Sequence, residues 1–221
     1  MALTDPSEAN AKEGGLRLGI FGGTFDPIHI GHLIVAEEAR AYLHLNRVIF
    51  VPARVSPFKL QGTAFSPEDR FHMVELAIQD NPYFAASRVD IDRQGPSFTV
   101  DTLRAMHRQY GPQAQLFFIM GADSLQGMGA WRAPEEIIRL AQLIAISRPG
   151  FRIDMHTLEQ KIPGISQVTH IIDTLQLGIS STNIRNRLRQ GLPIKYQVPA
   201  PVEAYIYSHN LVKELGQLEH G

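Results

Sequence analysis

The sequence predicts an α/β fold: a doubly wound parallel sheet with helices on both faces and a helical C-terminal part. Three observations predict it. Short apolar runs alternate with amphipathic stretches along 16–213, the pattern of successive strand–helix–strand units. The first apolar run ends in a glycine pair and opens into an amphipathic stretch, so strand, turn and helix follow one another directly. Helix start and stop signals fall between the runs, with Ser66 before Pro67 and Gly191 after Gln190. The expected arrangement is Rossmann-like.

Residues 1–15 are polar and glycine-ended, which predicts a disordered extension. Strands are expected at 16–21, 47–51, 88–91, 116–120, 143–147 and 168–172. Helices are expected at 32–43, 67–80, 99–110, 134–140, 182–190 and 201–212. Ser97 stands near Thr99 as a start signal for the third helix. The loop 52–66 is long for a strand-to-helix connection, and such loops often carry substrate contacts. Residues 214–221 are expected to form a flexible tail. A chain of 221 residues with 44% hydrophobic content suits one domain, 16–213, with a sizeable core.

Composition excludes several function classes. The net charge is −1, so no global field attracts nucleic acid. Small phosphates need only a few donors, and local anion sites remain open. With no cysteine, disulfides, thiolate metal sites and cysteine nucleophiles are out of reach. No apolar run approaches the ~20 residues a membrane span needs, and the N-terminus lacks an apolar core of the signal-peptide kind. A cytoplasmic protein with no membrane or nucleic-acid partner is expected. Oligomeric state is not legible.

The most informative segment is Gly22-Gly23-Thr24-Phe25-Asp26-Pro27-Ile28-His29-Ile30-Gly31-His32. Its glycines permit a tight turn and close ligand approach. The helix that follows directs its free N–H groups and positive dipole end at the turn, which favours phosphate. His29 and His32 flank that helix start. They suit phosphate better than simple capping or packing. Neither the dinucleotide-binding glycine fingerprint nor the Walker loop is present.

Ile179-Ser180-Ser181-Thr182-Asn183-Ile184-Arg185 is the second informative segment. Two readings stand for it alone. One is a cap cluster with a solvated arginine. The other is a second phosphate site of hydroxyls, free N–H groups and the permanent charge of Arg185. Gly121-Ala122-Asp123 closes an expected strand. Asp123 there can accept from ribose hydroxyls, cap the next helix, or do both. Trp131 is the only tryptophan, and a lone tryptophan is more often core than ligand platform.

The glycine–histidine segment resembles the signature of the nucleotidyltransferases related to class I aminoacyl-tRNA synthetases, in the form found in bacterial nicotinate mononucleotide adenylyltransferases. The run from Ile179 to Arg185 is similar to that family's ISSTxIR motif. Gly121-Ala122-Asp123…Trp131 is similar to its GADxL…W motif, and Pro96–Leu103 to its SYTxDTL, with Phe98 in place of tyrosine. Pro52–Lys59 is similar to a loop ending PHK, with Phe58 in place of histidine. Arg148-Pro149-Gly150 matches an RPG motif.

The resemblance implies an ATP site made of Gly22, Gly23, Thr24, Phe25, His29, His32, Gly121, Asp123, Arg148, Ile179, Ser180, Ser181, Thr182 and Arg185. It implies a nicotinate mononucleotide site at Lys59, Thr99 and Trp131, with the tryptophan stacking on the pyridine ring. Catalytic roles fall to His29, His32 and Arg185. Asp101 is expected as a helix-start acid and not a catalyst. The implied reaction transfers the adenylyl group of ATP to nicotinate mononucleotide in NAD biosynthesis, releasing pyrophosphate by in-line displacement. Mg²⁺ comes with ATP, and no protein metal site is expected. Two alternatives are a related transferase with another acceptor (nicotinamide mononucleotide or pantetheine phosphate) and a non-catalytic nucleotide-binding regulator.

Overall fold

Four apolar runs become strands buried along most of their length: β1 (Arg17–Gly23), β2 (Arg47–Pro52), β4 (Gln115–Gly121) and β5 (Gln142–Ser147). Such runs suit a sheet covered on both faces. β3 (Phe84–Ala86) and β6 (Thr169–Asp173) are the edges. The computed structural model describes residues 15–57, 62–147, 152–173, 177–213 and 215. The six strands form one sheet in the order β3-β2-β1-β4-β5-β6. β1, β4, β5 and β6 pair in parallel, with Phe21 opposite Ile119 and Ile119 opposite Ile144. The order reverses between β1 and β4. In doubly wound sheets that reversal marks the end at which ligands bind. The expected fold class is found.

The helices among the described residues are α1 (Ile30–Tyr42), α2 (Pro67–Ile78), α3 (Thr99–Tyr110), α4 (Ala122–Gln126), α5 (Pro134–Leu140), α6 (Met155–Lys161), α7 (Ser181–Arg189) and α8 (Ala200–Ser208). Ser66 caps α2 as expected, accepting from Asp69 N–H at 3.1 Å. Gly191 ends α7 at φ +67°. None of these helices is long and apolar enough to cross a membrane.

Three expectations are corrected. The strand expected at 88–91 is a turn, and the strand lies at Phe84–Ala86. Arg88 there is drawn outward to Glu68 at 2.8 Å and Asp92 at 3.0 Å. Ser97 is not the cap of α3. Its hydroxyl accepts from Arg54 N–H, and Phe98 holds the cap position without a side-chain bond. The helix α6 was not expected, whereas α4 is the short helix expected after the Gly121-Ala122-Asp123 segment. The expected extension and most of the tail lie outside the described residues.

By its internal contacts the chain divides into two compact units. One takes the described residues within 1–22, 35–49 and 98–175, the other those within 23–34, 50–97 and 176–221. In the first, a Cβ on Gly19 would meet Leu45 Cδ1 at 2.9 Å, Val48 Cγ2 at 3.1 Å and Ile119 Cδ1 at 3.2 Å. The Gly19→Val variant therefore overpacks the middle of β1 and should lose ~1–3 kcal/mol. Urea unfolding checks this, and a midpoint at or above that of the parent would show the strand has room to spare.

Candidate active site

In the second unit the turn between β1 and α1 is fixed from several directions. Neither Gly22 nor Gly23 has a positive φ; the left-handed residue of this turn is Phe25, at φ +49°. The glycines supply room instead of a bend. A Cβ on Gly23 would lie 2.8 Å from the Phe25 ring, and within the first unit one on Gly22 would lie 3.2 Å from Phe118. The Phe25 ring is buried, edge-on to His32 at 5.1 Å and tilted against Phe50 at 5.8 Å.

Residues 25–29 are buried, and buried carbonyls need donors. Side chains of α2 and α7 provide them. Arg70 donates to Thr24 O at 2.7 Å, Arg54 O at 3.1 Å and Phe65 O at 3.2 Å. It is fully buried, and burial lowers its pKa while the charge of Asp26 raises it. Ser181 Oγ donates to Pro27 O at 2.9 Å, and Arg185 Nη1 to Asp26 O at 2.6 Å. The Asp26 carboxylate accepts from Phe65 N–H at 2.9 Å and Ala64 N–H at 3.0 Å, and lies 3.3 Å from Arg185 Nη1.

The two imidazoles stack, with centroids 3.7 Å apart and planes 21° from parallel. His32 Nδ1 accepts from the backbone N–H of His29 at 3.2 Å. A backbone N–H can only donate, so the proton of neutral His32 sits on Nε2. His32 thus caps a backbone donor at the helix start and also carries a ring N–H. His29 is buried, and its Nδ1 has no hydrogen-bond partner among the described residues. Gly31 leaves it space, since a Cβ there would lie 3.1 Å from that atom. Burial lowers the His29 pKa to about 4. The helix start is not an open row of N–H groups, because Ile30 N–H donates to Gln197 O at 2.9 Å.

The hydroxyls of the second motif divide their work. Ser180 caps α7 by accepting from Asn183 N–H at 3.1 Å, Ser181 ties the turn, and Thr182 Oγ1 lies 3.4 Å from Arg185 Nη2. Ile179 precedes them and lines an open pocket with Leu177, Asn183, Asn186 and Arg187. His29, His32, Thr24, Phe25, Ser181, Thr182 and Arg185 are therefore brought together around one turn. Lys59 and Arg148 lie outside the described residues.

In the first unit, Gly121 caps α4 and Asp123 is exposed in its first turn. A Cβ on Gly121 would meet Asp123 Oδ1 at 2.5 Å, so glycine sets where that carboxylate can sit. Thr99 begins α3, a helix without a side-chain cap. Asp101 pairs with Arg104 at 2.8 Å and Arg132 at 3.2 Å. Trp131 is half-buried and meets Phe118 edge-on at 6.2 Å.

Arg70 was missed by the sequence reading. Its signal was there: Arg70 shares helical spacing with the core residues Met73, Val74 and Ala77. An arginine on an apolar stripe either snorkels or is fully paired.

The depressed pKa of His29 has a consequence for stability. Unfolded, the ring takes a proton near pH 6.5, whereas folded it resists until about 4. The unfolded state therefore binds more protons between those values, and stability falls as pH drops through that window. The loss is at most ~3.5 kcal/mol over the whole window, from the ~1.4 kcal/mol that one pKa unit represents. Urea unfolding at pH 7 and pH 5 should show a smaller drop for His29→Gln than for the parent. An equal drop would mean that His29 titrates normally.

The family model described as "Cytidylyltransferase-like" matches residues 20–187. Similar curated proteins include the probable nicotinate-nucleotide adenylyltransferases of Roseiflexus sp. (strain RS-1) and Thermomicrobium roseum, each 44% identical. The first match covers 89% of this chain and 98% of the relative, the second 89% and 92%. Among solved structures, the Plasmodium falciparum nicotinic acid mononucleotide adenylyltransferase complexed with NaAD aligns at a TM-score of 0.73 and 21% identity. It covers 90% of this chain and 98% of its own, and supports the fold alone. The chain belongs to the cytidylyltransferase-like family and, within it, to the nicotinate-nucleotide adenylyltransferases.

Proposed function

We propose that the chain joins ATP and nicotinate mononucleotide into nicotinate adenine dinucleotide and pyrophosphate, a step of cytoplasmic NAD biosynthesis. The observation that carries the reading is the His29–His32 pair, stacked at 3.7 Å on a turn in which the carbonyls of Thr24, Asp26 and Pro27 each accept from a side chain. Such a turn can present donors to a polyanion without rearranging. The family resemblance of the chain supports the choice of substrates.

The 5′-phosphate oxygen of the mononucleotide attacks the α-phosphorus of ATP. A new P–O bond forms as the bond to the β-phosphate oxygen breaks, and its electron pair leaves with pyrophosphate. The protein then supplies position and charge stabilisation only. In this proposal His32 Nε2–H donates to the triphosphate as a neutral group, His29 backs it by stacking, and Arg185 offsets the charge of the leaving group. Ser180, Ser181 and Thr182 line that end, and Asp123 accepts from ribose. Trp131 stacks on the nicotinate ring, with Thr99 near its carboxylate.

Enzymes of this family generally use a divalent metal with ATP, and we assign Mg²⁺. No group of three or more His, Asp or Glu among the described residues could hold a metal, and both Asp26 oxygens are engaged. Such a site fits a metal carried on ATP's own phosphate oxygens and waters.

Pyrophosphate release from ATP with each candidate acceptor tests the assignment. A site of donors at a helix start takes a carboxylate and leaves N–H groups unpaired against an amide. The nicotinate form should win clearly in kcat/KM over nicotinamide mononucleotide and pantetheine phosphate. Equal efficiency with the amide, or turnover only with pantetheine phosphate, would overturn the acceptor.

Trp131→Ala separates platform from core. Stacking on one base-like face is worth ~1–3 kcal/mol, so the KM for the mononucleotide should rise about 10-fold while that for ATP holds. A half-buried ring should cost less stability than the ~3–5 kcal/mol typical of a deleted core aromatic. A full core-sized loss with unchanged KM would return Trp131 to the core.

A further inference from the structure

Asp26 lies inside the glycine–histidine motif, yet its position gives it no way to touch substrate. Its side chain is 3% exposed. One carboxylate oxygen accepts from Phe65 N–H and the other from Ala64 N–H, and the latter also faces Arg185 Nη1 at 3.3 Å. A general base or a metal ligand needs an accessible lone pair, and this carboxylate is buried with both oxygens turned to the backbone N–H groups of Phe65 and Ala64. The same Arg185 nitrogen donates to the Asp26 carbonyl at 2.6 Å. One guanidinium nitrogen is thus gripped by the carbonyl and the carboxylate of a single residue. A guanidinium is planar and its donors form a rigid fork. Holding Nη1 therefore sets the direction of the remaining N–H groups. Among the described residues Nη2 has one long contact, to Thr182 Oγ1 at 3.4 Å, which leaves it donor capacity.

We propose that Asp26 is a positioning residue: it locks the Arg185 guanidinium onto the glycine turn, so that the opposite N–H edge meets the phosphates of ATP in a fixed direction. The inference rests on the reading that Arg185 contacts the triphosphate. Asp26 supplies no chemistry itself. It makes Arg185 a preorganised fork in place of a mobile surface cation, and it ties the turn to the Ala64–Phe65 backbone through the same two oxygens.

The test is a double-mutant cycle in kcat with Asp26→Asn, Arg185→Ala and their combination, with Arg185→Lys alongside. Arg185→Ala should lower kcat by ~100-fold, the scale for losing one preorganised charge-stabilising donor. Asp26→Asn should lower it by ~10-fold in the parent, since a charge-assisted partner is lost. It should have little further effect on Arg185→Ala, because residues acting through one another are not additive. The mononucleotide KM should stay within about two-fold throughout, a split that general loosening of the fold would not give. Lysine has one point charge and no fork, so Arg185→Lys should be nearly as slow as Arg185→Ala. That arm decides the matter if Asp26→Asn does not fold. A full additional loss from Asp26→Asn on top of Arg185→Ala, or parental kcat in Arg185→Lys, overturns the proposal. If Arg185→Ala itself turns over normally, the triphosphate role of Arg185 fails instead.

Discussion

The turn between β1 and α1 is buried over residues 25–29, and a carbonyl withdrawn from water must find a donor. Thr24, Asp26 and Pro27 find theirs in Arg70, Arg185 and Ser181. These donors come from α2 and α7, elements far away in sequence. The turn cannot hold its shape unless both helices are in place. The Asp26 carboxylate stands against the charge of both Arg70 and Arg185 and offsets part of it. A buried cation without such partners would cost several kcal/mol.

In the proposed reaction this scaffolding lets oriented imidazoles act as donors without a formal charge of their own. A histidine with a burial-depressed pKa is a poor cation but a good fixed dipole. His32 is turned by a backbone N–H so that its remaining ring proton is on Nε2. Donors that are already oriented need no reorganisation when charge moves from the α-phosphorus toward pyrophosphate. The proposal leaves permanent charge to Arg185, which the turn itself holds.

Much of this was legible in the sequence. The glycine–histidine motif and the ISSTNIR run stand out as candidate sites in the sequence, and the fold joins them through Ser181 to Pro27 O and Arg185 to Asp26 O, while the helices 99–110 and 134–140 fall where their patterns put them. What was not legible involves long-range pairing. The alternation Arg88-Val89-Asp90-Ile91 looks like a strand, but Arg88 is held by Glu68, twenty residues away. The true edge strand has only three residues and relies on Phe84 against Phe50 at 5.2 Å, a contact no local pattern reveals. The glycines read as a bend and turn out to be clearance for Phe25 and Phe118. Ser180 and Ser181 read equally as caps or phosphate ligands, and the fold uses one as a cap and one as a tie.

The measurement closest to the central claim is the ¹⁵N spectrum of the ring nitrogens of His29 and His32 near pH 7, with and without a non-hydrolysable ATP analogue and Mg²⁺. His32 should show an unprotonated Nδ1 and a protonated Nε2 in the free protein, and the Nε2 resonance should move when the analogue binds. Protonation of His32 at Nδ1, or an Nε2 signal indifferent to a saturating analogue, would contradict the account of a preset neutral donor at the triphosphate.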